Sequence, residues 1–278
     1  MRLGAMYIGG LADPQEWVQA LSSEGYRCAR CPVSVDASAD EVRAYRDAAR
    51  EADITIAEVG AWSNPLSPDA AERRAAFDLC VKSLRLADEI GARCCVNIAG
   101  SRSNRWDGPH RDNLTEETFD MIVESVRGII DEVRPTRSFY ALECMPWIAP
   151  DTIESYSALV RAVDRERFAV HFDPVNMIHT LADYFDSASF IRRFCRTFGP
   201  LIRSGHAKDT LLEPTYTLKF AEVQAGKGLL DYSCYLREME RFDHEMPLVI
   251  EHLSQPEEYR EAASYIRQRA AEAGVSLA

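Results

Sequence analysis

Eight short apolar runs punctuate this chain, and a longer amphipathic segment follows each of them. The runs are LGAMYI, YRCARC, ITIAEVG, RCCVNIAG, SFYALECM, FAVHFD, LIRSGHAK and PLVIEHL. Apolar stretches this short suit strands buried on both faces. The segments between them predict helices over 13–23, 38–51, 68–90, 116–133, 151–163, 181–198, 232–242 and 256–272. Ser67-Pro68 places proline at a first turn, Thr115-Glu116-Glu117 reads as a cap with acidic first-turn residues, and Gly91 and Gly274 are natural helix stops. Eight strands alternating with eight helices, about 35 residues per unit and no linker between halves, predict a single-domain (β/α)8 barrel over residues 1–278. The rival is a doubly wound sheet, which more often carries a glycine-rich turn after an early strand. Here MYIGGLADP offers only Gly9-Gly10.

Composition narrows the function. The chain is 46% hydrophobic over 278 residues, enough for a large core and against disorder. Its net charge is -12, with Lys and Arg dispersed, which argues against a broad nucleic-acid footprint and against attraction to anionic membranes. No apolar run approaches the length of a membrane span, and the start MRLGAMYIGG lacks the sections of a signal peptide, so a cytoplasmic location is expected. Most of the eight cysteines sit within strand-like or helical runs and read as small buried hydrophobes of a reducing compartment. Cys28 and Cys31 form a CxxC with no second copy, a weak signal for metal or redox chemistry.

In a barrel, function collects at the C-terminal ends of the strands. Strand three ends in Glu58 and Trp62, strand four in Asn97 and Gly100, and strand five in Glu143 and Trp147. Strand six carries His171, Asp173 and Asn176, strand seven His206, Lys208 and Asp209, and strand eight Glu251 and His252. Glu143, Asp173, His206 and Glu251 come from four consecutive predicted strands and can converge on one side of the mouth. Burying three carboxylates without a cation is costly, so the set itself argues for a divalent ion. Three oxygens and one imidazole suit Mn2+ or Mg2+ first, then Co2+ or Zn2+. No other cofactor is indicated.

These residues resemble a known superfamily, the xylose-isomerase-like TIM barrels, also described as sugar phosphate isomerases/epimerases. The marks are LEC at strand five, HFDPVN at strand six, HAKD at strand seven and IEH at strand eight, with EVGAWSNPLSP and GKGLLDYSCYLREM adding to them. The resemblance covers nearly the whole chain. It implies that Glu143, Asp173, His206 and Glu251 are the metal ligands and that Glu143 and Glu251 are the acid/base pair of a ketose epimerase. It also departs from that pattern. Asn176 stands where those epimerases carry a His, and Leu212 where they carry an Arg, which disfavours a simple ketohexose 3-epimerase. A nuclease of the same superfamily needs further His ligands where this chain has Glu58 and Asn97.

The resulting expectation is an isomerase or epimerase of a sugar or polyol-like hydroxy-ketone, working by carboxylate-mediated proton transfer through a metal-stabilised enediolate. Two alternatives stay open: a dehydratase of a keto-cyclitol or related keto-sugar, and a non-catalytic metal-binding or regulatory barrel. The expected substrate contacts are Glu58, Trp62, Asn97, Trp147, Asn176 and Lys208. Lys208 can meet substrate oxyanions or pair with Glu143 or Glu251, and Arg102, Arg105 and Arg111 in the loop 100–113 can bind a phosphate or carboxylate. His252 reads as surface or packing. By analogy with relatives, self-association as a homodimer or homotetramer is expected.

Overall fold

The computed structural model describes residues 1–6 and 13–278. The expected end of the first strand and Gly9-Gly10 lie outside the described residues. Eight parallel strands close into a barrel: β1 (Arg2–Ala5), β2 (Cys28–Arg30), β3 (Thr55–Gly60), β4 (Cys94–Ile98), β5 (Tyr140–Glu143), β6 (Phe168–Phe172), β7 (Ile202–Ala207) and β10 (Pro247–Ile250). Each pairs with its neighbour in the ring, and β1 pairs with β10 to close it. The helices are α1 (Pro14–Ser23), α2 (Ala39–Glu51), α3 (Ala70–Ile90), α4 (Glu116–Val133), α5 (Ile153–Val163), α6 (Leu181–Phe185), α7 (Ser187–Phe198), α8 (Tyr232–Glu240) and α9 (Pro256–Ala273). Among the described residues, none is long and apolar enough to cross a membrane.

Three features differ from the sequence reading. A two-stranded antiparallel hairpin, β8 (Asp209–Leu212) and β9 (Phe220–Val223), stands at the barrel mouth between β7 and α8. The helix expected over 181–198 is broken at Asp186. That residue leaves the helical backbone region, and its side chain accepts a hydrogen bond from Ser189 N to start α7. The helix expected from Pro68 begins at Ala70, because the Asp69 carboxylate accepts from both Ala71 N and Glu72 N and takes the cap. Thr115 caps α4 as expected, and Gly91 and Gly274 end their helices in the left-handed region. All eight cysteines are free, and all but Cys31 are buried.

Strand parity sorts the core. Leu142, Val170, Phe172, Leu248 and Ile250 face outward and pack under the helices in the main apolar cluster. Small residues fill the barrel interior: Cys94, Val96, Ala141 and Ala169 in one group, Cys28, Ala57 and Val249 in another. Above them, inward positions change from apolar to charged, and there the site begins.

Candidate active site

The interior positions that follow Ala141, Ala169 and Val249 by two residues are Glu143, His171 and Glu251. Each lies within one residue of the end of its strand, and the two-residue period carries these side chains inward onto the barrel axis. Asp173 follows His171 by the same step, and His206 and Lys208 do so on the segment of β7. Glu143, Asp173, His206 and Glu251 are all buried, and one donor atom from each lies within 4.8 Å of all the others. His206 Nδ1 is 3.0 Å from Glu251 Oε1 and 3.3 Å from Glu143 Oε1. Lys208 Nζ stands 2.8 Å from both Asp173 Oδ2 and Glu251 Oε1, and 3.0 Å from Glu222 Oε2. Of its two expected roles, pairing with the carboxylates is the one the geometry displays.

The charges do not balance. Glu58, Glu143, Asp173 and Glu251 face two cationic groups, His206 and Lys208. Burial, with the Glu143 and Glu251 charges adding to it against Lys208, pushes the Asp173 carboxyl up to about 7. Burial works against the charged form of His206, but the Glu251, Glu58 and Glu143 charges outweigh it and hold the imidazole well above its ordinary value. Asp173 Oδ2 and Glu251 Oε1 are buried oxygens that share one cation, Lys208 Nζ. Surplus negative charge and a set of three carboxylates and one imidazole fit a divalent cation of the oxygen-preferring kind. These four residues can hold one.

A cavity of about 900 Å3 opens above the cluster, and Glu143 and Glu251 line it. Of the expected substrate contacts, Trp62, Trp147, Asn176 and Lys208 also line it. Trp62 folds back against Gly60, where a Cβ would meet its Nε1 at 2.3 Å. Asn176 donates to Glu143 Oε1. Glu58 and Asn97 do not line the cavity. Asn97 faces the helices, because Cys94, Val96 and Ile98 take the inward positions of β4. Its side chain ties Ser63 to Cys80 of α3 instead, accepting from Ser63 N at 3.2 Å and donating to Ser63 O at 3.3 Å. Glu58 points inward but lies beneath the cluster, fully buried, with its oxygens on His171, His206 and Ser204. The loop arginines are occupied locally: Arg105 by Asp107, Arg111 by Asp112, and Arg102 near Glu117 and Met121. The same loop gives Trp106 and Asp107 to the cavity wall.

Arg30, Phe220 and Glu222 line the cavity without having been read from the sequence, and His179 and His252, the latter read as surface or packing, line it too. Glu222 and Phe220 arrive on the hairpin. His252 follows Glu251 and by parity would face away, but its backbone is left-handed (φ 58), which returns the ring to the mouth. There its Nδ1 is 2.8 Å from Glu222 Oε1. The adjacency of His252 to Glu251 was the available signal; the turn was not visible in the sequence.

The fold and site define a (β/α)8 barrel with a carboxylate–imidazole cluster, able to bind a metal ion, at the C-terminal mouth of its strands. The family model described as xylose isomerase-like TIM barrel matches residues 18–269, and the chain belongs to that family. No curated protein sequence matches it. Among solved structures it is similar to D-psicose 3-epimerase crystallised in the presence of D-fructose: TM-score 0.72, 16% identity, 99% of this chain and 100% of that one. It is also similar to a xylose isomerase-like TIM barrel protein from Mycobacterium smegmatis in complex with magnesium: TM-score 0.69, 15% identity, 98% and 97% covered. A third is the probable 3-DHS dehydratase of petrobactin synthesis from Bacillus anthracis: TM-score 0.70, 15% identity, 96% and 98% covered. At such identities the likeness is one of fold.

Proposed function

We propose that this protein is a divalent-metal-dependent isomerase or epimerase acting on a sugar or polyol-like hydroxy-ketone. The observation that carries the reading is the placement of Glu143 and Glu251. Both line the cavity, and both approach the same nitrogen, His206 Nδ1. In this reading Glu143, Asp173, His206 and Glu251 hold Mn2+ or Mg2+, which supplies Lewis acidity toward neighbouring substrate oxygens. One glutamate removes the proton from the carbon beside the carbonyl, and the electron pair left behind moves into that carbonyl. The other glutamate, once it has taken a proton from solvent, delivers it to the opposite face as the electron pair returns to the carbon. Trp62 and Trp147 offer apolar faces to the C–H side of the substrate, and Asn176 and Lys208 offer donors to its oxygens.

A dehydratase is the second reading, and His252 favours it. Its hydrogen bond to Glu222 raises the imidazole from its ordinary value, which supplies a cavity-wall acid for a departing hydroxyl. One experiment separates the readings: metal-loaded protein incubated in D2O with a panel of keto-sugars and keto-cyclitols, followed by mass and NMR. Deuterium at carbon without change of formula supports isomerisation or epimerisation. Loss of one water supports dehydration. Bound metal with no exchange anywhere in the panel would overturn both and leave a binding barrel. Self-association as a dimer or tetramer belongs to the same reading, and sedimentation across concentrations tests it.

A further inference from the structure

We propose that Glu58 is a positioning residue: it accepts the Nε2–H of His206 and so keeps the Nδ1 lone pair of that ring turned toward the three carboxylates above. The proposal rests on the reading of Glu143, Asp173, His206 and Glu251 as a metal site.

Glu58 Oε1 is 3.2 Å from His206 Nε2, on the side of the ring opposite the carboxylate cluster. Its other oxygen is 3.2 Å from His171 Nε2 and 3.3 Å from Ser204 Oγ. All four side chains are buried, and the two imidazoles stand edge to face with centroids 4.1 Å apart. An imidazole that offers one nitrogen to a cation must carry its proton on the other, and an acceptor there sets which is which. A carboxylate is the strongest acceptor the chain can supply, and it also makes the free nitrogen a better donor to the ion.

The backbone is altered to put Glu58 there. Ile56 packs outward, so strict alternation would send Glu58 outward too. Instead the β2–β3 register passes from Ala29↔Ile56 to Arg30↔Glu58, which leaves Ala57 as an extra residue and turns Glu58 to the axis. The β6–β7 register slips in the same way, from Val170↔Ile202 to His171↔Ser204. Among the described strands these are the two register shifts of the ring, and they serve the two sides of one buried layer. A fourth buried carboxylate beneath an acidic cluster is unfavourable in itself, so its presence calls for a task that an anionic acceptor performs best.

The test compares Mn2+ binding to metal-stripped wild type, Glu58→Leu and Glu58→Gln by titration calorimetry, with melting curves in EDTA and in Mn2+. Imidazole 15N NMR of the Mg2+-loaded wild type reads the tautomer. Wild type should bind one ion, with His206 protonated at Nε2. Glu58→Leu should bind about 10–100-fold more weakly, and Glu58→Gln should fall between, since its amide oxygen still accepts the same proton. Melting of Glu58→Leu in EDTA should fall, because His206, His171 and Ser204 lose a buried partner, and the rise on adding Mn2+ should shrink as well; a merely structural role would lower the EDTA value and leave the rise and the affinity unchanged. Unchanged affinity in Glu58→Leu overturns this proposal alone. So does a proton on Nδ1 of His206 in the loaded wild type, or a second ion per chain held by Glu58, His171 and His206. Should Glu58→Leu not fold, the wild-type tautomer and the Glu58→Gln affinity decide. A wild type that binds no divalent ion overturns the metal reading itself.

Discussion

The side-chain amide of Asn176 donates to Glu143 Oε1 at 2.8 Å. Asn176 belongs to the short turn after β6, and that turn is held by Asp173, whose Oδ1 accepts from Val175 N at 2.9 Å and from Asn176 N at 3.4 Å. One oxygen of Asp173 thus fixes the segment that orients Glu143, while its other oxygen faces the cluster. Replacing Asn176 by Ala should free Glu143 to rotate and weaken Mn2+ binding by about tenfold, the low end of the range for groups that orient metal ligands. Titration calorimetry on metal-stripped protein reads this directly.

Glu143→Gln and Glu251→Gln test the two-base reading. Each keeps size and one oxygen but loses the basic carboxylate. At saturating metal, each should cut turnover on an accepted substrate by about 10²–10⁴-fold, the usual scale for general acid–base contributions. One variant that still exchanges the substrate proton with D2O without completing inversion would identify the group serving the second face. Near-normal turnover in both would refute the reading.

Lys208 carries much of the positive charge of the buried cluster. Lys208→Met leaves Asp173, Glu251 and Glu222 without their shared cation and should destabilise the metal-free fold by about 3–5 kcal/mol, as breaking buried ion pairs does. Mg2+ should recover part of that loss, because a bound cation restores charge to the same oxygens. Urea unfolding in EDTA and in Mg2+ checks both parts; equal loss in the two conditions contradicts the account.

Far from the mouth, Asp88 near the end of α3 accepts from the backbone N–H groups of Thr136 (2.9 Å), Arg137 (2.6 Å) and Ser138 (2.8 Å), holding the chain that enters β5. Partial burial raises its carboxyl, but these bonds outweigh that and hold it below the usual range. A depressed folded pKa means the contribution is present above the unfolded value of about 3.9 and is lost as pH falls through the folded one. Asp88→Ala should therefore cost about 1–2 kcal/mol at pH 7, with the gap to wild type narrowing below about pH 4. Denaturant titrations at both pH values measure it.

The barrel could be read from the sequence because each strand is a short apolar run and each following helix is amphipathic, with period and length agreeing. The strand-end donors Glu143, Asp173, His206 and Glu251 were legible for the same reason: a carboxylate or imidazole at the end of a buried run has one place to go. What was hidden depended on departures from regular geometry. Glu58 was expected among the substrate contacts, and its place beneath the cluster, against His206, comes with the extra residue Ala57 in the β2–β3 pairing. His252 returns to the mouth only through a left-handed backbone. The hairpin was missed because Asp209–Leu212 and Phe220–Val223 are short, half-exposed and separated by a polar tip, so no apolar pattern marks them. The break at Asp186 was missed because apolar residues continue on both sides of it.

The seam of the ring lies between β1 and β10, which are its earliest and latest strands in chain order. During synthesis, β1 emerges long before its partner, and β7 waits for the same strand on its other side. Until then both are open edges, able to pair with other chains. Glu251 follows directly on β10, so the last of the four donors is delivered by the strand that closes the ring. Assembly of the complete donor set and closure of the barrel are therefore one event in the life of a newly made chain, and a chain still open at its seam cannot present that set.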